Sequence, residues 1–344
     1  MKKDVYSDSG VDIGAEQSFV KAFKETGGYK ELPGVFAKYL YLGDLVYGFS
    51  TDGVGSKLLC YVMKGDLTDS AHDLEAMLCN DIAAEFIKPM VEVNYVAVNR
   101  MNEEQGRQMG SGRSRALAKY EIFDGGGESA TLIDQIKEGT LDWAGFVWGL
   151  ENASLHKEWI AKRDSIGKGI AIVGLEGYDP ERNGYTYQSN GATALRRLLE
   201  KHALDEKVTN RTLIEELTAP SMICSDLMVD LRDKGLVHFF VPVTGGGYTN
   251  IIRILHPGIK ADIEFQIREN TIFEFAQQEL GIEDSEMYRD FNRGHVILIG
   301  TDKPGDVIDF TGKTGRRARE IGQLDIRKED DPPLLVNGNQ YSKY

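Results

Sequence analysis

Short apolar runs alternate with longer amphipathic stretches along this chain. The apolar runs have the length of strands, and the amphipathic stretches have the three-and-four spacing of helices that pack on a core. This alternation favours an α/β or α+β fold over a sandwich of two sheets. Strands are predicted at 45–51, 91–98, 143–148, 170–177 and 237–243, and helices at 70–86, 102–120, 192–203 and 221–234.

The same pattern divides the chain into two units. A polar, glycine-bearing stretch at 161–169 has the composition of a linker, and a new apolar run begins directly after it. A length of 344 residues also favours two domains, each long enough to bury its own core. We predict an N-terminal domain at 1–164, a C-terminal domain at 165–331 and a frayed tail at 332–344.

Composition and charge exclude several classes of protein. The chain has 54 acidic residues against 40 lysines and arginines, a formal net charge of −14, which opposes non-specific binding to nucleic acid. Its three cysteines lie far apart without a CxxC pair, as is typical of a reducing compartment and of proteins without structural zinc. No apolar run reaches the roughly 18–20 residues that span a bilayer. We therefore expect a cytoplasmic protein without nucleic-acid or membrane partners.

The sequence STDGVGSK follows the first predicted strand and forms the first candidate site. Gly53, Gly55 and Ser56 would let backbone amides approach phosphate oxygens. Lys57 would add a positive charge, and Asp52 could hold Mg²⁺. The GxxxxGK[ST] pattern of a P-loop is absent. DGVGSK is also typical of a plain turn with a solvated lysine.

Asn80 and Asp81 lie inside the predicted helix at 70–86. Asp81 falls on or beside the apolar stripe of that helix, because it follows Met77 and Leu78 by four and three residues. A buried carboxylate is costly unless it meets a cation, a network of donors or a metal. Asp81 is therefore either a metal-binding acid or a structural carboxylate bonded to backbone amides.

A glycine-rich sequence, DGGGES, supplies the third acidic candidate. Glu128 follows three glycines where a strand meets a loop, and it could complete a magnesium cluster with Asp52 and Asp81. Mg²⁺ uses few protein carboxylates and fills its remaining positions with water and phosphate oxygens, so acids on separate strand and helix ends fit its demand. Taken alone, the sequence is more typical of a glycine-rich surface turn.

Small residues precede two predicted helices in the second half of the chain. They would expose the N-terminal amides of each helix, which form a ready anion site. Serine and threonine in these places are also ordinary N-caps. The two segments are Ser189-Asn190-Gly191 and Thr244-Gly245-Gly246, and the second continues into GYTNIIRIL.

These motifs occur in a fixed order that resembles one known family. The series opens with YxxSGVDI and DGVGSK, continues with DLxAMxxNDI, GGES and SNG, and closes with TGGGYTNIIRIL and MYRxFN. Over residues 4–325 the chain resembles the aminoimidazole ribonucleotide synthetases, also called phosphoribosylformylglycinamidine cyclo-ligases. DGVGSK and AMxxND are shared in looser form by a wider ATP-binding superfamily that includes selenophosphate synthetase and thiamine monophosphate kinase.

The resemblance implies a two-domain α/β fold whose N-terminal domains pair across a homodimer and form a shared β-barrel-like interface, with ATP and Mg²⁺ nearby. By motif position it implies metal-binding acids at Asp52, Asp81 and Glu128. Asp52, Lys57 and Asp81 would act in catalysis, with Lys57 on a phosphate. The nucleotide-binding residues implied are Gly10, Val11, Asp12, Gly53, Gly55, Ser56 and Asn80, and the ribonucleotide-binding residues are Ser189, Asn190, Gly191, Thr244, Gly245 and Gly246.

The implied reaction uses ATP to convert the formamide oxygen of formylglycinamidine ribonucleotide into a phosphate ester. An amidine nitrogen then closes the imidazole ring and displaces phosphate. Protein groups would mainly position the reactants and neutralise the charge that moves between them. The alternatives are a different acceptor on the same ATP-binding fold and a non-catalytic nucleotide-binding paralogue.

Several positions depart from the family pattern. Gln188 stands where the family usually has histidine before Ser-Asn-Gly, and glutamine cannot act as a cation or a proton shuttle near neutral pH. Asn94 stands where aspartate is common. The other departures are Ser7, Ala219-Pro220-Ser221 in place of Glu-Pro-Thr, Arg293 and His295. The nucleotide half of the pattern therefore matches better than the substrate half.

Overall fold

Two large β-sheets form the framework of the computed structural model, which describes residues 13–27 and 31–343. One sheet belongs to the first half of the chain and the other to the second half. The structure therefore confirms a mixed α/β arrangement. Within the described residues, no helix is both long and apolar enough to cross a membrane.

The first half of the chain alternates strands and helices in the predicted order. The strands expected at 45–51, 91–98 and 143–148 and the helices expected at 70–86 and 102–120 are present, with ends shifted by a few residues. In chain order, the elements are α1 (Ile13–Gly27), β1 (Lys38–Leu42), β2 (Leu45–Gly53), α2 (Leu58–Lys64), α3 (Ser70–Ala84), β3 (Lys88–Val98), α4 (Glu103–Lys119), β4 (Phe123–Thr131), β5 (Leu141–Asn152) and α5 (Ala153–Asp164).

The second half has shorter elements than the sequence predicts. The linker expected at 161–169 begins later, because α5 continues to Asp164, and the helix expected at 192–203 becomes a 3-10 helix after one turn. The elements are β6 (Ala171–Glu176), β7 (Tyr178–Asp179), β8 (Gly184–Tyr185), α6 (Ala192–Leu195), α7 (Leu213–Leu217), α8 (Ser225–Asp233), β9 (Phe239–Pro242), β10 (Ile259–Ile263), α9 (Ile272–Leu280), α10 (Asp284–Asp290), β11 (His295–Thr301), α11 (Pro304–Lys313), β12 (Ala318–Ile326), β13 (Leu334–Val336) and β14 (Asn339–Tyr341).

The five-stranded sheet of the first half has the order β1-β2-β5-β3-β4, with β3 and β4 as its parallel pair. Successive residues alternate between its two faces, and the odd-numbered residues of β5 from Leu141 to Gly149 are buried beneath α3. Gly145 permits the close approach of this helix, because a Cβ there would lie 2.8 Å from Leu78 Cδ1. Side chains on this face of the sheet therefore point toward α3.

Helix α3 is buried on almost all sides and joins the two halves of the molecule. Leu74, Leu78 and Ile82 pack in the core under the five-stranded sheet. Ala83 and Ala84 pack with apolar residues of β6 and α8 from the second half. Helix α3 consequently contributes side chains both to the core of the first half and to the contact between the halves.

The opposite face of the five-stranded sheet is rich in exposed apolar side chains. Tyr95 is 44% exposed and Phe146 is 39% exposed. Four of the aromatic rings stack in two pairs, with centroids 5.9 and 6.1 Å apart. Exposed apolar areas of this kind are typical of surfaces that bind another molecule. We call it the open sheet face, and its residues are Leu40, Leu42, Leu45, Tyr47, Phe49, Val93, Tyr95, Phe146 and Trp148.

The seven-stranded sheet of the second half has the order β14-β13-β10-β12-β6-β11-β9. One edge of this sheet comes from residues 334–341, since β13 pairs in parallel with β10 and β14 pairs with β13. Leu334 and Val336 are fully buried. The expectation of a frayed tail at 332–344 is therefore wrong, because the apolar residues of this segment complete one edge of the sheet.

Two carboxylates are buried between α3 and the five-stranded sheet. Glu75 and Glu92 are both fully buried, and Arg113 Nε donates to Glu92 Oε2 over 2.7 Å. Burial raises the pKa of Glu75 well above its usual value, the charge of Glu92 adds to the rise, and Arg113 opposes it. The folded protein therefore favours a protonated Glu75.

We expect this buried acid to make the protein less stable as the pH rises. Between the usual glutamate pKa of 4.5 and the raised pKa of Glu75, the folded protein holds a proton that the unfolded chain has lost. The stabilisation is complete below the usual pKa and is lost as the pH passes the raised one. Glu75→Gln should flatten this part of the pH dependence and raise the melting temperature at about pH 8.

Thermal unfolding of the wild type and of Glu75→Gln between about pH 5 and pH 8 checks this expectation. Glu138 is exposed, so Glu138→Gln is a matched control that should keep the wild-type pH dependence. A Glu75→Gln protein with the same pH dependence as the wild type would contradict the expectation.

Candidate active site

The three motifs of the second half meet in space. Asn190 of SNG lies against the glycine loop TGGG, where a Cβ on Gly245 would be 3.2 Å from Asn190 Oδ1. Gly247 lies against the end of α10, and a Cβ there would collide with the carbonyl oxygens of Tyr288 and Arg289. SNG, TGGG and MYRDFN therefore belong to one site.

The glycine loop forms a tight turn at this site. Thr244 O accepts a hydrogen bond from Gly247 N over 2.8 Å, and Gly246 O accepts one from Thr249 N over 3.0 Å. Gly245 is exposed at the tip of the turn. The predicted helix that follows is a 3-10 helix at Gly247–Ile254. The turn therefore presents accessible backbone next to Asn190.

The SNG loop has a strained backbone. Ser189 has a φ of +54°, in the left-handed region that costs an L-residue roughly 1–2 kcal/mol. Its hydroxyl donates to Asp73 Oδ1 over 3.2 Å and lies 3.2 Å from Ser221 Oγ. Side-chain contacts, rather than a glycine, hold this residue in its conformation.

Asp52 and Asp81 form an acidic pair where β2 passes α3. Burial raises the pKa of Asp81 well above its usual value, the Asp52 carboxylate adds to the rise, and Arg253 opposes it. Asp52 is at the surface, yet the loss of solvent around its carboxylate raises its pKa, although Gly53 N donates to Oδ1 over 2.7 Å. A divalent cation stabilises both carboxylates in their charged form. The pair therefore fits Mg²⁺, which needs only one or two carboxylates besides water and phosphate oxygens.

Glu128 lies apart from this pair. It pairs with Tyr95 on β3, which pairs with Ala144 on β5, so it is three strands from β2, about 14 Å at the usual strand spacing. This row belongs to the open sheet face, whereas Asp52 pairs with Gly145 on the face toward α3. In the part of the chain that the structure describes, no group of three or more histidine, cysteine, aspartate or glutamate residues could hold a metal ion. The three predicted acids thus do not converge within one chain.

Lys57 is enclosed by protein groups and does not reach a phosphate site. Its side chain is 0% exposed, and Nζ donates to Asp73 Oδ1 over 2.6 Å and to Ala219 O over 2.5 Å. The ammonium also lies 4.1 Å from the centre of the Tyr187 ring. Burial lowers the pKa of Lys57, and Asp73 opposes the fall. The structure therefore corrects the expectation of a phosphate contact, because the side chain points into the interior.

The side chain of Asn80 also forms hydrogen bonds within the protein rather than facing a ligand site. Its Nδ2 donates to Met222 O over 3.0 Å, and its Oδ1 accepts from Cys224 N over 2.7 Å. The amide group of the side chain thus joins α3 to the segment before α8. The expectation that Asn80 contacts the nucleotide is corrected for the same reason, since both ends of its amide are bound by backbone.

The DGVGSK loop remains accessible. Gly55 is exposed and has a φ of +65°, which favours glycine. Ser56 Oγ lies 2.6 Å from Thr193 Oγ1, so the loop contacts α6 directly after SNG. Gly53, Gly55 and Ser56 therefore stay candidates for contact with phosphate where the two halves meet. The remaining predicted nucleotide contacts, Gly10, Val11 and Asp12, lie outside the described residues.

Three residues that were not among the sequence candidates, Tyr61, Asp73 and Ser221, form a buried hydrogen-bond network with Lys57 through the Asp73 carboxylate. Asp73 is fully buried, its Oδ2 accepts from Tyr61 OH over 2.6 Å, and its Oδ1 accepts from Ser221 N over 2.9 Å. A signal for Asp73 exists in the sequence, because it precedes Met77 by four residues and so shares the apolar side of the helix. We call Lys57, Tyr61, Asp73 and Ser221 the Asp73 cluster.

Named relatives resemble the chain over nearly its whole length. It is 33% identical over 329 residues to the chloroplastic phosphoribosylformylglycinamidine cyclo-ligase of Arabidopsis thaliana. This alignment covers 93% of this chain and 80% of the relative. It is 31% identical over 341 residues to the phosphoribosylformylglycinamidine cyclo-ligase of Pseudothermotoga lettingae, covering 93% of this chain and 96% of the relative. The chain belongs to the phosphoribosylformylglycinamidine cyclo-ligase family. No protein-family model matches it.

The fold of this cyclo-ligase family member is similar to a solved structure, AaThiL complexed with AMPPCP and TMP. The TM-score is 0.63 at 14% sequence identity, covering 95% of this chain and 94% of that one. At this identity the likeness concerns the fold alone, and it confirms the architecture that the motifs implied. The pairing of N-terminal domains across a dimer stays a prediction.

Two departures from the cyclo-ligase pattern have structural roles. His295 Nδ1 lies 2.8 Å from Tyr248 OH, and burial lowers the pKa of His295 to about 3, so the ring is neutral. Asn94 Oδ1 accepts from Trp143 Nε1 over 3.2 Å. Gln188 differs, because it is buried and its side-chain amide has no hydrogen-bond partner among the residues described. Gln188 is thus the departure best placed to alter what the site binds.

Proposed function

We propose that this chain catalyses the ATP-dependent cyclisation of formylglycinamidine ribonucleotide to aminoimidazole ribonucleotide. The 33% identity over 93% of the chain with a phosphoribosylformylglycinamidine cyclo-ligase carries this proposal. The meeting of SNG, TGGG and MYRDFN supports it, since the resemblance rests on these sequences. The contact between Ser56 and Thr193 supports it further, because it brings the DGVGSK loop to the same place.

In the proposed reaction, the two turns of the second half bind the ribonucleotide. Backbone amides at such turns suit a phosphate group. Gly53, Gly55 and Ser56 face the triphosphate from the opposite side. The formamide oxygen takes the terminal phosphoryl group of ATP and ADP leaves; the amidine nitrogen then attacks the same carbon and displaces phosphate. The chain acts mainly by holding the two reactants in line.

Asp52 and Asp81 are the proposed ligands of Mg²⁺. When bound, the ion supplies neutralisation of charge on the phosphate oxygens of ATP. The two acids suit this role because burial raises both pKa values and leaves the charged forms in need of a cation. The use of ATP is supported by AMPPCP in the AaThiL complex, whose fold is similar.

A second copy of the chain is the proposed partner of the open sheet face. The resemblance implies pairing through N-terminal domains, and this face lies in the N-terminal half. Phe146 is exposed and the other three stacked rings of this face are half-buried, so pairing with a partner would remove further apolar area from water. A stable interface buries roughly 800 Å² on each partner. Glu128 belongs to the same face, so in such a dimer it would lie at the interface. Any role of Glu128 in metal binding would then depend on the dimer.

Phe146→Glu should convert the proposed dimer into a monomer. The change places a charge in the centre of an apolar interface, where its desolvation is not compensated. Sedimentation velocity of the wild type and the variant measures the outcome. Leu155 is 45% exposed on α5, outside this face, so Leu155→Glu should sediment as the wild type does. A monomeric wild type, or a dimeric Phe146→Glu protein, would contradict the proposed dimer.

A direct assay tests the proposed reaction. Purified protein is incubated with ATP, Mg²⁺ and formylglycinamidine ribonucleotide, and aminoimidazole ribonucleotide is detected as a diazotisable aromatic amine. ADP and the amine should form in equal amounts, and only with Mg²⁺. The Pseudothermotoga lettingae relative serves as positive control. Absence of the amine under conditions in which that protein turns over would refute the proposal.

A second candidate function is ATP-dependent chemistry on a different small acceptor. Gln188 favours it, because a buried amide with no hydrogen-bond partner among the described residues stands where the family usually has histidine. Release of ADP that requires another acceptor, with no amine from formylglycinamidine ribonucleotide, would identify this second function.

A further inference from the structure

The Asp73 cluster lies outside the proposed reaction, yet it contacts the SNG loop. Asp73 Oδ1 accepts from Ser221 Oγ over 2.5 Å and from Ser189 Oγ over 3.2 Å. The same oxygen accepts from Lys57 Nζ and from Ser221 N. One carboxylate oxygen therefore binds groups from the DGVGSK loop, from the segment before α8 and from SNG. Charge-assisted hydrogen bonds in a buried place of this kind are strong and specific in geometry.

Lys57 ties the same two segments by their backbone. Its Nζ donates to Tyr187 O over 3.4 Å and to Ala219 O over 2.5 Å. Each of these carbonyl groups lies two residues before a serine that binds Asp73, namely Ser189 and Ser221. The lysine and the aspartate thus hold both segments at two points each, and both side chains are fully buried.

Ser189 is the residue that needs this support. Its φ of +54° is unfavourable for any residue other than glycine. Its hydroxyl meets two members of the cluster, and the next residue, Asn190, contacts Gly245 of the glycine loop. A return of Ser189 to an ordinary φ would move Asn190 away from Gly245. The contacts of Ser189 with Asp73 and Ser221 therefore favour the position of Asn190 beside Gly245.

We propose that Asp73, with Lys57 and Ser221, is a positioning group that fixes the SNG loop for a phosphorylated ribonucleotide. The inference rests on the proposed function, because it takes SNG as part of the ribonucleotide site. Asp73 acts through Ser189 and does not touch the reactants. Loss of the contact frees the loop, so binding of the ribonucleotide weakens while the reaction of bound substrate continues.

Two single substitutions separate this role from a purely structural one. Ser221→Ala and Tyr61→Phe each remove one hydroxyl that donates to Asp73, but only Ser221 also contacts Ser189. Ser221→Ala should raise KM for the ribonucleotide about tenfold, with kcat and KM for ATP within about twofold of the wild type. Tyr61→Phe should lower the melting temperature and leave KM unchanged. Ser221→Thr keeps a hydroxyl and matches the residue common in the family, so it should restore the wild-type KM.

Hydrogen–deuterium exchange supplies a measurement that does not need turnover. Peptides covering 186–192 should exchange faster in Ser221→Ala than in the wild type, and at the wild-type rate in Tyr61→Phe. Equal exchange in all three proteins, or an equal rise of KM in both variants, would overturn the positioning role. A wild type without cyclo-ligase turnover would refute the proposed function alone, because the exchange comparison would still decide whether the cluster holds the loop.

Discussion

Asp81→Asn is expected to lower magnesium-dependent turnover by about 10²–10³-fold while the protein stays folded. The carboxylate is one of two groups proposed to hold the ion, and asparagine keeps its shape without its charge. Burial and the neighbouring Asp52 raise the pKa of Asp81, so the ionised acid destabilises the fold at pH values above the usual aspartate pKa. The neutral side chain should therefore maintain or raise the melting temperature at about pH 8.

Steady-state kinetics at several Mg²⁺ concentrations, together with thermal unfolding, check this expectation. Asp142 is an exposed acid on β5, so Asp142→Asn is a matched control that should change neither measurement. Normal turnover with a large fall in melting temperature would show that Asp81 is a structural carboxylate instead.

Lys57→Met should destabilise the fold by about 3–5 kcal/mol, since it leaves the buried Asp73 without its cation. Methionine fills most of the space, so the loss reports the charge rather than a cavity. Urea unfolding measures the free energy of unfolding. Lys64→Met, on the more exposed end of α2, should change it by less than about 0.5 kcal/mol.

A double variant tests this expectation further. Adding Asp73→Asn to Lys57→Met removes the stranded charge, so the double variant should be less destabilised than the sum of the two single variants. Additive effects, or a Lys57→Met protein within about 1 kcal/mol of the wild type, would show that the ion pair adds little to stability.

The sequence pattern predicted the framework of the first half well because its elements are long and strongly periodic. The stripe of α3 and the alternation along β5 are visible in the residues themselves. The second half was less predictable. The 3-10 turn after Leu195 and the late start of the linker depend on contacts across the chain, which periodicity does not encode.

The loops of the candidate site were predictable from the sequence, but the positions of its charged and polar side chains were less so. SNG and TGGG carry their signal in small residues, and the structure brings them together. In the sequence motifs, Lys57 and Asn80 have the positions of ligand contacts. In the structure, their side chains bind groups in the protein interior. The direction of these side chains depends on how α2 and α3 pack, which the motifs do not show. The separation of Glu128 from Asp52 within one chain was not predictable for a related reason, since register decides which face of a sheet a side chain occupies.

The end of the chain braces a distant turn. Tyr341 OH in β14 donates to Ser285 O over 2.8 Å, within the helix α10 against which Gly247 packs. In a protein that ends at residue 331, β10 would lose its pairing with β13 and become an exposed edge strand. Such an edge presents unpaired backbone groups and promotes self-association. It would also remove the hydrogen bond from Tyr341 to α10, the helix that packs against the glycine turn. Removal of this terminus should therefore promote aggregation and weaken the support of the proposed ribonucleotide site.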